Sequence, residues 1–364
     1  IGSGLVGSEM CIRDSLYCIM KIAFFDHPFH EKTKSSNFFL DIVNALGGVD
    51  VFYADFHNEK DTELLINKLC YQFDLLIFWQ VIPPASILLK VPHKRIVLIP
   101  MYDACCTMTY FQWYAYRHCH FINFSHKLHT ILCNMRMHSL YVRYVPHITT
   151  MESEKKDEGL TAFVWRRTPS LNMKGLLEAL KNIGVRTIVF HDSQDNISPE
   201  IPFRDMIEGL NIEYTNGWFN THDEYLKSVI ACDIYVAPRL YEGIGMSFLE
   251  AMGLGLCVLA PNQATMNEYI IDGYNGVLFK NFKSIKKKRF EIDKIKIQSR
   301  ISFQKYLAEW EDTIPTIYTF LVSIEEEYQE HCKKPYFFIL EDIKMFLKVR
   351  VFPFLRRKTG LLDY

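Results

Sequence analysis

At 364 residues the chain is too long for one ordinary core and fits two domains of about 150 residues each. Its 41 basic and 42 acidic residues cancel to a formal charge of −1, which leaves no global field to recruit nucleic acid, so any anionic ligand needs a local site. No apolar run reaches the roughly 18–20 residues that span a bilayer, the start lacks a signal-peptide pattern, and the 10 cysteines include no CxxC pair, which together imply free thiols and a cytoplasmic protein.

Residues 1–15, IGSGLVGSEMCIRDS, follow no periodicity, whereas Met20 opens a strand, MKIAFFD, so residues 1–19 read as a non-native leader and Met20 as the start. Apolar strands then alternate with helical stretches: KIAFFD, the helix SNFFLDIVNAL, VDVFYAD, the helix TELLINKLCYQF, and DLLIFWQ. RIVLIPMYD and HFINFS continue the series around the aromatic stretch TYFQWYAYRHC, and YVRYVPHI closes it. The charged segment MESEKKDEG carries no apolar period and reads as a linker at 151–159. A second series follows: TAFVWRR, MKGLLEALKNIG, RTIVFHD, DEYLKSVIAC, DIYVAPR, a glutamate-bearing helix, CVLAPN and GVLF. Strands alternating with helices predict parallel sheets covered on both faces, an α/β architecture of two doubly wound Rossmann-like domains at 20–150 and 160–322. Ligands of such sheets bind at the carboxyl ends of the strands, here in a cleft between facing domains. A helical basic tail occupies 323–364. The run KSIKKKRFEIDKIK at 283–296 reads as a solvated face before it reads as a nucleic-acid or lipid surface.

Residues 237–279 are the most informative stretch. Glu242 and Glu250 flank a turn that Gly243 and Gly245 allow to be tight, and Met246–Met252 then reads as a helix whose first amides lack intrahelical partners. Such a helix start attracts anions, and Gly243, Ile244, Gly245 and Met246 would present their amides to a phosphate or a sugar. Two carboxylates so placed can accept hydrogen bonds from different hydroxyls of one elongated ligand.

This stretch resembles the carboxyl-terminal donor site of the retaining GT-B glycosyltransferases of the family-four type, whose signature is Glu-x7-Glu followed by small residues and a second glutamate-containing turn. The matching positions are Glu242, Gly243, Gly245, Glu250, Ala251, Met252, Gly255, Asn267, Glu268, Gly273, Asn275 and Gly276. The resemblance implies that Glu242 contacts the donor sugar and Glu250 the ribose of a nucleotide-diphosphate sugar, with 160–322 the donor domain and 20–150 the acceptor side. It also implies an arginine and a lysine on the leaving diphosphate: Arg166 or Arg167, with Arg167 the choice, and Lys174 of the Lys174-Gly175 pair. Arg239 is a further candidate for the phosphate.

The first domain departs from the family pattern. Where relatives often carry a Gly-rich loop, this chain has DHPFHEKTKSSN, in which Lys32, Thr33, Lys34 and Ser35 are candidates to hold a phosphate or acceptor, with Ser35 or Ser36 capping the next helix. Where many relatives place a histidine, Tyr102 and Asp103 stand, and Asp103 is the candidate to orient or deprotonate an acceptor hydroxyl. His27 and His30 lie near the same edge. No DxD-like acidic pair ends a strand, so the expectation is a metal-independent enzyme without a cofactor, its nucleotide sugar serving as co-substrate.

In the tail, 335–358 mixes Phe346, Leu347, Phe352, Phe354 and Leu355 with Lys344, Lys348, Arg350, Arg356, Arg357 and Lys358. That composition suits either peripheral contact with an anionic membrane or, as in the resembled proteins, a return onto the first domain. The expected activity is retaining transfer of a sugar from the nucleotide donor to a hydroxyl of a glycan or lipid-linked saccharide of the cell envelope. A nucleotide-sugar-binding or scaffold subunit without catalysis is the alternative, and nucleic acid is not an expected partner.

Overall fold

A computed structural model describes residues 20–92, 95–148, 159–167, 172–192, 208–237, 239–285, 290–324 and 332–351. The expected leader at 1–19, all of the linker except Gly159, the middle of the basic run at 286–289 and the tail from 352 lie outside the described residues. The chain divides into two compact units that interleave in sequence. One comprises residues up to Asn123, Leu128–Val142 and Asp312–Met345, and the other Phe124–Lys127, Arg143–Glu311 and residues from Phe346 on.

The first unit is built on six parallel strands, β1 (Met20–Asp26), β2 (Gly47–Tyr53), β3 (Leu75–Trp79), β4 (Ile96–Ile99), β5 (His120–Asn123) and β6 (Ser139–Tyr141), in the order β2-β1-β3-β4-β5-β6. Every residue of β3 and β4 is buried, and β1 exposes only Lys21. Such continuous apolar runs are what a parallel sheet covered on both faces requires. The order reverses between β1 and β3, which places the favoured ligand position of this sheet at the carboxyl ends of those two strands.

The second unit repeats the plan with β7 (Leu160–Arg166), β8 (Val185–Asp192), β9 (Asn211–Asn216), β10 (Ile234–Val236), β11 (Cys257–Pro261) and β12 (Val277–Phe279), ordered β12-β11-β10-β7-β8-β9 and all parallel. One face of this sheet packs Ala162, Val164, Ile188, Phe190 and Ile234 against Leu176, Leu177 and Leu180 of the helix Met173–Asn182. Each large side chain so buried contributes roughly 1.5–3 kcal/mol. Here the order reverses between β7 and β10; Arg166 ends β7 and Arg167 follows it, and both signature glutamates follow β10 in sequence.

Two elements differ from the sequence reading. The edge strand β9, NIEYTN, was not expected, because its polar residues face solvent and only Ile212 and Tyr214 pack on the core. YVRYVPHI was expected as a closing strand, yet β6 is Ser139–Tyr141 and shares only Tyr141 with it. Val142, Tyr144 and Val145 are buried all the same. The last ladder bond is from the Val142 amide to the Asn123 carbonyl at 2.9 Å, and Pro146 brings no amide to extend a ladder. A single 31-residue helix, Ile292–Val322, takes up the end of the basic run and stops where the expected tail begins, and within the tail the helix Ile339–Phe346 follows. Within that run Lys296 pairs with the buried Asp233 at 2.8 Å, and Lys294 with Glu291 at 2.5 Å.

Candidate functional site

Alternation along β7 separates its last residue, Arg166, from Arg167 just beyond it. Ala162, Val164 and Arg166 share one face, and Phe163, Trp165 and Arg167 the other. Arg166 is buried against Asp192 at the end of β8, its Nε donating to Asp192 Oδ1 at 3.0 Å and its Nη2 to Oδ2, while the Tyr214 hydroxyl donates to the same carboxylate at 3.2 Å. A guanidinium already committed to a buried carboxylate is a structural ion pair. Arg167 instead lies over the Trp165 ring, 5.1 Å from its centroid. Its Nε is buried and has no hydrogen-bond partner among the described residues, and the same holds for the neighbouring indole Nε1 of Trp165. Buried donors without an acceptor are costly, and two side by side suit an acceptor-rich ligand.

After β10 the chain passes Arg239 and Glu242 and turns into the helix Met246–Gly253. Gly245 is the N-cap, at φ 80° and ψ 44°, and a Cβ there would come within 2.1 Å of the Phe248 ring, so both backbone and packing demand glycine. From below, the Glu242 amide donates to the Ala264 carbonyl at 3.3 Å and the Thr265 hydroxyl to the Ile244 carbonyl at 3.2 Å. No side chain caps this helix, and with the Phe248 amide bonded to the Gly245 carbonyl at 3.2 Å the amides of Met246 and Ser247 are the ones left for an outside acceptor. Glu242 lies before the N-cap, outside the first turn, so it is not the capping residue.

Both signature carboxylates are buried, Glu242 at 8% exposure and Glu250 at 6%. Glu242 Oε2 stands 3.7 Å from Arg239 Nη1. Glu250 Oε1 stands 2.8 Å from Nε2 of His222, the first residue of the helix His222–Ile230. His222 was not singled out in the sequence. Its partner is 28 residues away, and no local spacing marks it. The hydrogen bond to Glu250 raises the His222 pKa above its ordinary 6.5, against the effect of burial, with the charges of Glu250 and Asp223 adding to the rise. Tyr235 at the centre of β10 ties the groups together: burial pushes its phenol up, the charges of Glu242 and Glu250 add to this, and Arg167 opposes it. Glu242, Glu250, Arg167, Arg239 and the open helix start therefore belong to one region of the second unit. Lys174, the remaining candidate there, is exposed on the first turn of Met173–Asn182, whose N-cap Asn172 accepts from the Gly175 amide at 3.0 Å.

The candidates of the first unit have more local partners. Lys32 and Thr33 end the short helix Pro28–Thr33 and Lys34 is its left-handed C-cap at φ 55°, so a helix replaces the first part of the expected loop and Ser35 lies in the turn that follows. Ser36 precedes the next helix but makes no capping bond; its hydroxyl donates to the buried Asp26 Oδ2 at 2.5 Å. Asp26 also meets His30 Nδ1 at 2.5 Å and accepts from the His27 amide at 2.7 Å, a buried polar cluster at the carboxyl end of β1 that the sequence reading had not joined. Asp103 Oδ1 accepts from the Ala104 amide at 3.0 Å in the first turn of Tyr102–Cys105. Near the end of the described residues, Phe338 stacks on Tyr110 at 4.3 Å and Asp342 accepts from the Tyr110 amide at 2.7 Å, whereas Tyr336, Phe337, Leu340 and Ile343 stay about half exposed or more. Among the described residues no three His, Cys, Asp or Glu side chains form a metal-ligating group, and no helix is long and apolar enough to cross a membrane.

Residues 149–299 match the family model described as glycosyl transferases group 1. No curated protein matches the chain in sequence. Among solved structures, a sucrose-phosphate synthase from Thermosynechococcus elongatus superposes with a TM-score of 0.59 at 12% identity, covering 82% of this chain and 98% of that one. A glycosyltransferase from Rickettsia africae gives 0.56 at 14% identity over 85% of this chain and 100% of that one. HepE of Anabaena, in complex with UDP and glucose, gives 0.50 at 13% identity over 82% and 100%. At these identities the superpositions establish the fold, and the family match covers the segment that holds both glutamates and both arginines. Residues 149–299 of the second unit thus match the glycosyl transferases group 1 family, and the chain has the GT-B fold.

Proposed function

We propose that the chain transfers a sugar, with retention of anomeric configuration, from a nucleotide-diphosphate sugar to a hydroxyl of a glycan or lipid-linked saccharide of the cell envelope. Arg167, Lys174 and the uncapped start of Met246–Gly253 stabilise the departing nucleoside diphosphate, where negative charge grows as the glycosidic bond breaks. Glu242 orients the sugar and Glu250 holds the ribose. The acceptor hydroxyl attacks from the leaving-group face, Asp103 serves the acceptor, and neither metal nor cofactor takes part. The observation that carries this reading is the grouping of two buried carboxylates, a buried guanidinium donor without an acceptor and an uncapped helix start at the reversal point of the second sheet. The nucleotide and sugar bound by the Anabaena protein of the same fold support it as well.

The test is a thermal-shift screen against UDP-, GDP-, ADP- and dTDP-sugars, run with and without EDTA. One nucleotide class is expected to raise the melting temperature, equally with and without the chelator, and Glu250→Ala is expected to abolish the shift. No response to any donor would favour a scaffold subunit, and a response lost in EDTA would refute metal independence.

The lipid-linked acceptor agrees with the outer face of the segment Pro335–Phe346. Phe338 and Asp342 fasten its inner side, leaving Tyr336, Phe337, Leu340 and Ile343 bare. Apolar rings and aliphatic side chains beside lysines suit an anionic membrane surface. The full chain is expected to float with phosphatidylglycerol vesicles and not with phosphatidylcholine ones. Flotation that survives Leu340→Glu combined with Ile343→Glu would remove this segment from any membrane role.

A further inference from the structure

Glu250 is held in a way that the glutamate signature does not specify. Its Oε1 is bonded to His222 Nε2 at 2.8 Å, while its Oε2 makes no hydrogen bond among the described residues. The two partners come from different helices, Glu250 from Met246–Gly253 and His222 from the head of His222–Ile230, whose N-cap Thr221 accepts from the Glu224 amide at 3.2 Å. Glu250 is almost fully buried, whereas the His222 side chain is 61% exposed. Its imidazole faces Glu250, lies 5.8 Å from the Tyr225 ring and has Asp223 beside it on its own helix. A nearly buried carboxylate with one satisfied oxygen has a restricted orientation, and the second oxygen is then the one left for a ligand.

We infer that His222 is a positioning residue of the donor site: it binds one oxygen of Glu250 and thereby presents the other to the ribose hydroxyls of the nucleotide. The inference rests on the ribose role proposed for Glu250. The charged imidazolium holds the carboxylate more strongly than the neutral ring does, since hydrogen bonds between ionised groups are the stronger kind. Because the bond to Glu250 raises the His222 pKa above 6.5, the charged form is present below that raised value and is lost as pH rises through it. Nucleotide affinity therefore falls as pH increases across this interval.

Titration calorimetry of the full chain with whichever of UDP, GDP, ADP and dTDP stabilises it most provides the test. His222→Ala is expected to raise Kd about tenfold, with the donor KM following and kcat within about twofold. His222→Gln, which keeps a donor at similar reach, is expected to recover most of the affinity and to flatten the pH dependence relative to wild type, a comparison that removes the titration of the nucleotide itself. Equal or tighter binding by His222→Ala, or an unchanged pH profile in His222→Gln, overturns the inference. Glu250→Ala separates the two readings. If it still binds nucleotide, the ribose role falls regardless of His222; if it does not bind while His222→Ala binds normally, only the inference falls.

Discussion

Replacing Glu242 with glutamine is expected to lower kcat by roughly 10²–10³-fold, with the melting temperature and the affinity for nucleoside diphosphate nearly unchanged. Two readings of Glu242 differ in magnitude and in observable. As a helix-end charge it would contribute about 0.3–1 kcal/mol of stability and nothing to turnover. The geometry disfavours that reading, because the helix begins at Met246 with Gly245 as N-cap and carries no acidic residue in its first turn. As a group that orients the sugar and faces charge developing at the reacting centre, it is worth about 2.7–4 kcal/mol in the transition state. Glutamine keeps the shape and the acceptor oxygen but removes the charge, so the buried site is not emptied, while Arg239, 3.7 Å away, loses an ionic neighbour. A steady-state assay at saturating donor, using the donor identified in the screen, reads kcat directly, and circular dichroism checks the fold. If glutamine leaves kcat intact, Glu242 does not act on the sugar. If nucleotide binding is lost together with turnover, its role is to build the pocket.

The elements that were legible in the sequence are those whose burial is continuous or whose turn chemistry is special. LLIFW and IVLI are apolar at every position because both faces of the sheet are covered, and Gly245 announces a left-handed backbone that no other residue adopts cheaply. β9 was illegible for the opposite reason: at a sheet edge four of its six residues face water, and NIEYTN then has the composition of a loop. The site divides in the same way. Glu242 and Glu250 are fixed in register by one turn and one helix and could be placed from their spacing. His222 reaches Glu250 across tertiary space, and the Asp26 cluster joins His30 and Ser36 through a fold-back that no periodicity encodes. Ser36 shows how a correct local pattern yields to tertiary demand: a serine before a helix is a good cap, but the buried Asp26 carboxylate, fully inaccessible, takes its hydroxyl.

Adjacent arginines with opposite roles give the other large effect. Arg166→Ala is expected to destabilise the chain by about 3–5 kcal/mol, because it strands the Asp192 carboxylate, itself 3% exposed, without its guanidinium. Arg167→Ala is expected to leave the melting temperature almost unchanged, since among the described residues that side chain gives up its contact with the Trp165 ring, worth about 0.5–1 kcal/mol, and removes a buried donor without an acceptor there. Turnover should respond in the reverse order. Loss of Arg167 removes a cation from the departing diphosphate and should lower kcat by roughly 10²–10³-fold, and Arg167→Lys should recover only part of it, because an ammonium cannot reproduce the planar fork of donors. Thermal melts and donor-turnover assays on the three variants separate the cases. A stable, inactive Arg166→Ala with a fully active Arg167→Ala would exchange the two assignments. Arg166 is committed to Asp192, whereas the Arg167 guanidinium lies over the Trp165 ring with its Nε lacking a hydrogen-bond partner among the described residues, so the proposed phosphate contact falls to Arg167.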